Sequence, residues 1–198
     1  MVSNSLAADY WQNRYNQGTT GWDRGEPSPG LKWFQQQVSS ADCPRVLVPG
    51  CGRGHEVSAL AAAGYAVTAI DFAPAAVNQV QATLAARQLN AEILQADLLE
   101  YSPSAPFDAV YEQTCLCAMH PDQWSQYVQK LTQWLRPGGK LFAVFMQTTS
   151  SEGPPFACRL PQMRQLFGSE VWEWHPVLGR IDHPLGLHEW ACLLQRRL

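Results

Sequence analysis

Glycine stands at positions 50, 52 and 54, inside the stretch Val46-Leu47-Val48-Pro49-Gly50-Cys51-Gly52-Arg53-Gly54-His55-Glu56. A short apolar run enters this stretch and an amphipathic helical pattern leaves it. Glycine is needed where φ must be positive, or where a ligand must reach the backbone without a Cβ in its way. A strand, a glycine loop and a helix N-terminus in succession bind nucleotides in open α/β sheets, because the first amides of the helix are unpaired and its dipole is positive there. The spacing here is G-x-G-x-G. The dinucleotide fingerprint G-x-G-x-x-G would need glycine at 55, where this chain has His55.

Beyond the loop the same logic repeats. Val57, Leu60, Ala61 and Gly64 recur at helical spacing, and Tyr65 to Asp71 reads as a β-branched strand ending in an acid. Asp71 lies 19 residues after Gly52, the place from which a carboxylate accepts hydrogen bonds from both ribose hydroxyls of a nucleotide. Pro74 sits in helix-start position, so capping the next helix is a second use for Asp71, compatible with the first. Val77, Val80, Leu84 and Gln88 mark that helix, and residues 91–97 form the next strand. Asp97 at its end has two readings: a polar partner for an adenine amine, or a helix cap.

The remaining strands fall at 107–111, 141–146, 171–177 and 187–195, with helices at 124–135 and 161–167. With 46–48, 65–71 and 91–97 this makes seven strands. The expectation is an α/β, Rossmann-like, doubly wound and mostly parallel seven-stranded sheet, its C-terminal strand antiparallel and helices on both faces. Glu112-Gln113-Thr114-Cys115 ends the strand beside the glycine-loop strand, where such sheets bind ligands. The N/D-P-P-Y signature of amino-group methylation of bases is absent from that position.

The N-terminal part reads as helices at 6–17 and 29–40 joined by a loop rich in glycine and proline. Trp11 and Trp22 have two readings. Either they cover a cationic ligand as a lid, each ring worth about 0.5–2 kcal/mol in cation–π attraction, or they fill a groove beside the sheet. One domain spans 1–198: a helical lid segment at 1–40, a cofactor-binding core at 45–147, and acceptor-side and closing strands at 148–198. No internal repeat or linker divides it.

Composition narrows the function. The net charge of −3 comes with no basic block, so nothing offers a track for nucleic-acid phosphates. No apolar run approaches the roughly 20 residues that span a bilayer, and residues 1–9 lack the basic start and apolar core of a signal peptide. A cytoplasmic protein is expected, a monomer being a plausible state. The six cysteines are expected to be free thiols, with Cys115 or Cys117 either structural or lining a site. No metal site is expected.

Several stretches in order resemble the thiopurine S-methyltransferase family, and within it the thiol and halide methyltransferase branch. They are Trp11-Gln12-Asn13-Arg14-Tyr15 with Gly18 and Trp22-Asp23, the glycine loop from Val48 to Glu56, Cys117-Ala118-Met119-His120-Pro121, and Gly153-Pro154-Pro155-Phe156. Leu135-Arg136-Pro137-Gly138-Gly139-Lys140-Leu141 is a further pattern familiar from class I methyltransferases. The resemblance implies S-adenosylmethionine as cofactor, without metal, S-adenosylhomocysteine as product, and a small-molecule methyl acceptor. It implies cofactor contacts at Trp11, Trp22, Gly50, Cys51, Gly52, Gly54, Asp71, Phe72, Ala96, Asp97, Leu98, Glu112 and Gln113, and an acceptor pocket at Trp22, Cys117, Pro155 and Phe156. Gln113 stands where thiopurine-metabolising members carry arginine, which points away from a thiopurine acceptor. The tail beyond about residue 170 matches the family poorly.

The chemistry expected is displacement of a methyl group from sulfonium by a small soft nucleophile: a thiol, sulfide, halide or related chalcogen. An acceptor that arrives as an anion makes no general base obligatory, and Tyr15 and His120 are the candidates to orient it or take a thiol proton. Three alternatives stand beside this reading. One is a small-molecule O-methyltransferase of the same fold, with His120 or Glu112 as base. A second is a non-catalytic S-adenosylmethionine-binding module. The third is handling of a metalloid by Cys115, Cys117 and Cys158.

Overall fold

A computed structural model describes residues 8–150 and 152–198. The expected start of the first helix at residue 6, and most of the stretch read for a signal peptide, lie outside the described residues. In chain order the elements are α1 (Ala8–Asn16), α2 (Gly30–Gln37), β1 (Arg45–Pro49), α3 (His55–Ala62), β2 (Ala66–Asp71), α4 (Pro74–Ala86), β3 (Glu92–Gln95) and β4 (Phe107–Gln113). After two single 3-10 turns come α5 (Trp124–Trp134), β5 (Leu135–Gln147), α6 (Leu160–Leu166), β6 (Trp172–Trp174), β7 (Gly179–Asp182) and β8 (His188–Arg196).

The strands form one sheet in the order β3-β2-β1-β4-β5-β8-β6, with β7 also paired to β8. β1 pairs in parallel with β2 on one side and with β4 on the other. The chain therefore winds outward in both directions from β1 and β4, and a crevice opens between the two connections at the carboxyl ends of those strands. β8 runs antiparallel to β5. This is the mostly parallel, doubly wound sheet that the sequence leads one to expect.

The sheet has eight strands rather than seven. The nine residues of β8 are long enough for two short strands to share its outer edge: β6 against Leu194–Arg196 and β7 against His188–Ala191. Gly179-Arg180-Ile181-Asp182 carries no alternation, and among its side chains only Ile181 is buried, so its sequence holds no strand signal. β5 also begins earlier than expected. Phe107 pairs with Leu135 but Ala109 pairs with Lys140, so Pro137-Gly138-Gly139 bulges inside a strand instead of ending one.

Side chains alternate between two apolar layers, as the pleat requires. Leu47, Ala143 and Phe145 face the layer of α5 and α6, where Tyr127, Trp134, Phe167 and Trp172 are buried. Val46, Val48, Phe142 and Val144 face the layer of α2 and α3. There Tyr111 stacks on Phe142 at 5.2 Å, and Phe34 meets both rings edge-on. No helix among the described residues is long and apolar enough to cross a membrane.

Candidate active site

A cavity of about 770 Å³ opens at the carboxyl ends of β1 and β4. Its floor is the glycine loop and the ends of β2 and β4, and α1 with the 18–26 segment roofs it. Trp11, Tyr15, Trp22, Gly50, Cys51, Gly52, Asp71, Phe72, Ala96, Asp97, Leu98, Gln113, Cys117 and Pro155 all line this one space. Positions up to 144 residues apart in the chain thus meet where the topology reverses.

Two glycines in the loop are required for different reasons. Gly52 has φ +53, and a Cβ there would sit 3.2 Å from the Tyr15 hydroxyl, beneath the roof of the cavity. Gly54 has φ +71, and a Cβ there would come within 2.6 Å of Val80 Cγ2. Gly54 serves as the N-cap of α3, packed on α4, and is absent from the cavity lining. Asp71 ties the loop to the next helix. Its Oδ2 accepts from the Gly52 amide at 2.9 Å and its Oδ1 from the Ala73 amide at 2.9 Å. Burial raises its pKa, opposed by those amides. Asp97 turns one oxygen back to the Leu99 amide at 2.8 Å.

The roof is an aromatic cluster. Trp22 meets Trp11 edge-on at 5.4 Å and Tyr15 at 5.9 Å, and the Arg14 guanidinium lies 5.1 Å from the Trp22 ring. Beside it Asp23 bridges roof and floor, pairing with Arg53 at 2.6 Å and His55 at 2.9 Å, with the Gly25 amide donating to it at 2.9 Å. Burial alone would raise the Asp23 pKa, but the Gly25 amide, His55 and Arg53 together hold it below the usual carboxylate value. The residue that breaks the dinucleotide spacing, His55, thus anchors the segment that carries Trp22. Asp23→Ala leaves the partly buried Arg53 and His55 without their shared partner and is expected to cost about 1–2 kcal/mol of stability. Hydrogen exchange over residues 18–26 should also speed up. Unchanged exchange there, with the fold intact, would show that Asp23 does not hold the roof.

Four expected site residues do not line the cavity. Strand alternation explains Glu112: Tyr111 and Gln113 face one side of β4, where the Tyr111 hydroxyl donates to Gln113 Oε1 at 2.7 Å. Glu112 points to the other side and accepts from the Leu116 amide at 2.7 Å. Burial pushes its carboxyl up to about 7, against the pull of the Leu116 and Cys115 amides. Gly54 is the packing position described above. His120 and Phe156 pack on each other at 5.5 Å, and His120 Nδ1 accepts from the Asp122 amide at 3.4 Å. They stand behind Cys117 and Pro155, which do reach the cavity. The Phe156 amide donates to the Cys117 carbonyl at 2.7 Å, joining these two segments.

Tyr15 lines the cavity, but burial and the nearby Asp71 and Cys51 push its hydroxyl pKa far above the ordinary value. It can donate a hydrogen bond and cannot serve as a base near neutrality. All six cysteines are buried and free. Burial raises the pKa of Cys51, Cys115, Cys117 and Cys158 well above the ordinary thiol value. No cluster of three or more metal-ligating side chains occurs among the described residues.

A polar corner of the cavity was not legible in the sequence. Arg24 and His183 line it, and Arg24 Nη2 donates to Glu189 Oε2 at 3.2 Å. Glu189, fully buried on β8, is raised to about 7 by burial against the pull of Arg24. These residues come from the N-terminal loop and from the tail whose sequence matches the family poorly. No periodicity links positions 165 residues apart.

The family model for thiopurine S-methyltransferase matches residues 6–180 of the chain. Among named proteins, a probable thiol methyltransferase 2 of Arabidopsis thaliana is 31% identical over 150 residues, covering 74% of this chain and 66% of the relative. The chain thus spans just under two thirds of that relative's length. A thiopurine S-methyltransferase of Pseudomonas fluorescens (strain SBW25) is 31% identical over 191 residues, covering 86% of this chain and 88% of the relative. Among solved structures, a 1,6-didemethyltoxoflavin-N1-methyltransferase of Burkholderia thailandensis superposes with a TM-score of 0.75 at 21% identity, covering 98% of this chain and 88% of the other. At that identity the likeness speaks for the fold alone. With the family match over most of its length, the chain belongs to the thiopurine S-methyltransferase family.

Proposed function

We propose that the protein is an S-adenosylmethionine-dependent methyltransferase acting on a small soft nucleophile such as a thiol, sulfide, halide or related chalcogen. The observation that carries this reading is the aromatic roof over the glycine loop, with a buried carboxylate at one end of the same 770 Å³ cavity. Each part suits one part of the cofactor. Asp71 has oxygen lone pairs free beyond those given to Gly52 and Ala73, as ribose hydroxyls require. Phe72, Ala96 and Leu98 offer an apolar wall for a purine, with Asp97 at its rim. The glycine loop leaves backbone open to a ligand, and the rings of Trp11, Tyr15 and Trp22 suit a sulfonium cation.

Bound there, S-adenosylmethionine supplies a methyl group on sulfonium, which a soft nucleophile can displace in line. The chain's own contribution is approach geometry and the exclusion of water by the Trp11–Trp22 roof. The O-methyl alternative finds less support. Its candidate bases are unsuited, since Glu112 faces away beneath the floor and His120 lies outside the cavity, while Tyr15 stays protonated. Cys115, Cys117 and Cys158 form no metal-ligating cluster with one another or with other described residues, which leaves metalloid handling unsupported as well. Six free thiols suit a reducing cytoplasm.

Trp22→Ala tests the roof. Loss of the ring is expected to lower methyl transfer by roughly tenfold or more while weakening S-adenosylhomocysteine binding by only a few-fold. Calorimetry and turnover on the same preparation separate the two. A variant that binds cofactor poorly but turns over bound cofactor normally would contradict the assignment of Trp22 to the acceptor.

A further inference from the structure

The polar corner of the cavity has an unusual balance of donors and acceptors. His183 is 5% exposed and stands just beyond the end of β7, on the turn leading back into β8. Its Nδ1 accepts from the Leu185 amide at 3.2 Å. That nitrogen therefore carries no proton, and burial together with the Arg24 charge holds the ring neutral, its pKa lowered to about 4. In a neutral imidazole the proton must then sit on Nε2. Nε2 is buried and has no hydrogen-bond partner. Here is a donor without an acceptor, in a fold where such groups are rare and costly.

Arg24 supplies the second half. Its guanidinium has five N–H donors in a fixed fork, and one nitrogen is engaged by Glu189 at 3.2 Å. No other side-chain hydrogen bond of Arg24 is found among the described residues, and its side chain stays 15% exposed on the cavity. The other Glu189 oxygen, Oε1, is buried with no hydrogen-bond partner, and burial works against a full negative charge on that carboxyl. Glu189 reads as the group that aims the guanidinium.

We propose that Arg24 and the Nε2–H of His183 form the acceptor subsite, holding the methyl acceptor as an anion. This inference rests on the methyl-transfer reading above and deepens it by naming the residues that select an anionic acceptor over a neutral one. On methylation the acceptor's electron pair becomes the new bond to carbon, and the pair of the broken carbon–sulfur bond stays on the cofactor's sulfur. An anionic acceptor leaves as a neutral product, no longer attracted to Arg24. The corner thus favours substrate entry and product release. Because the attraction is strongest before reaction, it raises affinity for the acceptor more than it speeds chemistry.

The test uses the full chain with thiocyanate as anionic acceptor and dimethyl selenide as neutral acceptor. Charge-assisted hydrogen bonds predict that Arg24→Gln raises KM for thiocyanate by at least about tenfold, and His183→Leu by about three- to tenfold. Arg24→Lys, which keeps the charge, should recover a substantial part of the loss. The KM for dimethyl selenide should change less than about threefold in each variant, and kcat less than KM. S-adenosylhomocysteine affinity, measured by calorimetry, should stay within about twofold of the parent, which also reports that the variants are folded. Equal losses for both acceptors, or an unchanged thiocyanate KM, would overturn the subsite. Should Arg24→Gln fail to fold, His183→Leu carries the same discrimination. A parent protein that binds S-adenosylhomocysteine but methylates only neutral acceptors sinks the anion subsite alone. One that binds no S-adenosylhomocysteine sinks the methyl-transfer reading itself.

Discussion

Asp71→Ala is expected to weaken S-adenosylhomocysteine binding by at least about tenfold, because each charge-assisted hydrogen bond lost is worth about 1.5–3 kcal/mol. The effect has two sources. The ribose contacts proposed for Asp71 disappear, and so does the acceptor that holds the Gly52 amide at 2.9 Å and the Ala73 amide at 2.9 Å. The second loss loosens the floor even without ligand. A fall in stability of about 1–3 kcal/mol should therefore accompany the loss of affinity. Asp71→Asn keeps one carbonyl oxygen for the backbone but turns an amino group toward the other amide, so it should fall between the two. Calorimetry on protein shown folded by circular dichroism checks the series. Unchanged affinity in Asp71→Ala would remove the cofactor assignment.

Gly54→Ala should produce the largest loss of stability among the loop glycines that face protein. A non-glycine residue at φ +71 costs about 1–2 kcal/mol. The new methyl would also press on Val80 Cγ2 at 2.6 Å and Cγ1 at 2.8 Å, an overpacking worth about 1–3 kcal/mol more. The expected sum is about 2–5 kcal/mol in denaturant unfolding. Gly25→Ala is the matched control. It has φ +73 with nothing within 4 Å of the new Cβ, so only the backbone part, about 1–2 kcal/mol, should be lost. Equal losses at 25 and 54 would mean that Val80 yields freely and that the α3–α4 contact does not need glycine.

The parts of the molecule that were legible in the sequence are those that local pattern dictates. Val46–Val48 and Tyr65–Asp71 alternate or run apolar because both sheet faces are covered. The glycines between them mark positive φ whatever the fold does elsewhere. From these residues alone the β1–loop–α3–β2 unit, with Asp71 close to the loop, could be placed. Glu112 shows where that reasoning stops. Adjacent residues on a strand face opposite ways, and nothing in the sequence said which of Glu112 and Gln113 faces the cleft. Asp23 with Arg53 and His55, and Arg24 with Glu189, are long-range pairs between loops and strand ends, and no periodicity encodes them. β7 was invisible because a four-residue strand with one buried side chain carries almost no signal.

One competition measures methyl transfer to a soft anion directly. Purified protein is given S-adenosylmethionine labelled in the methyl group, with bisulfide, thiocyanate, iodide and a phenol present together at equal concentration. Methyl transfer to a soft anion predicts label in methanethiol, methyl thiocyanate or methyl iodide, formed in step with S-adenosylhomocysteine, and little in the methyl ether. Label confined to the methyl ether would contradict it.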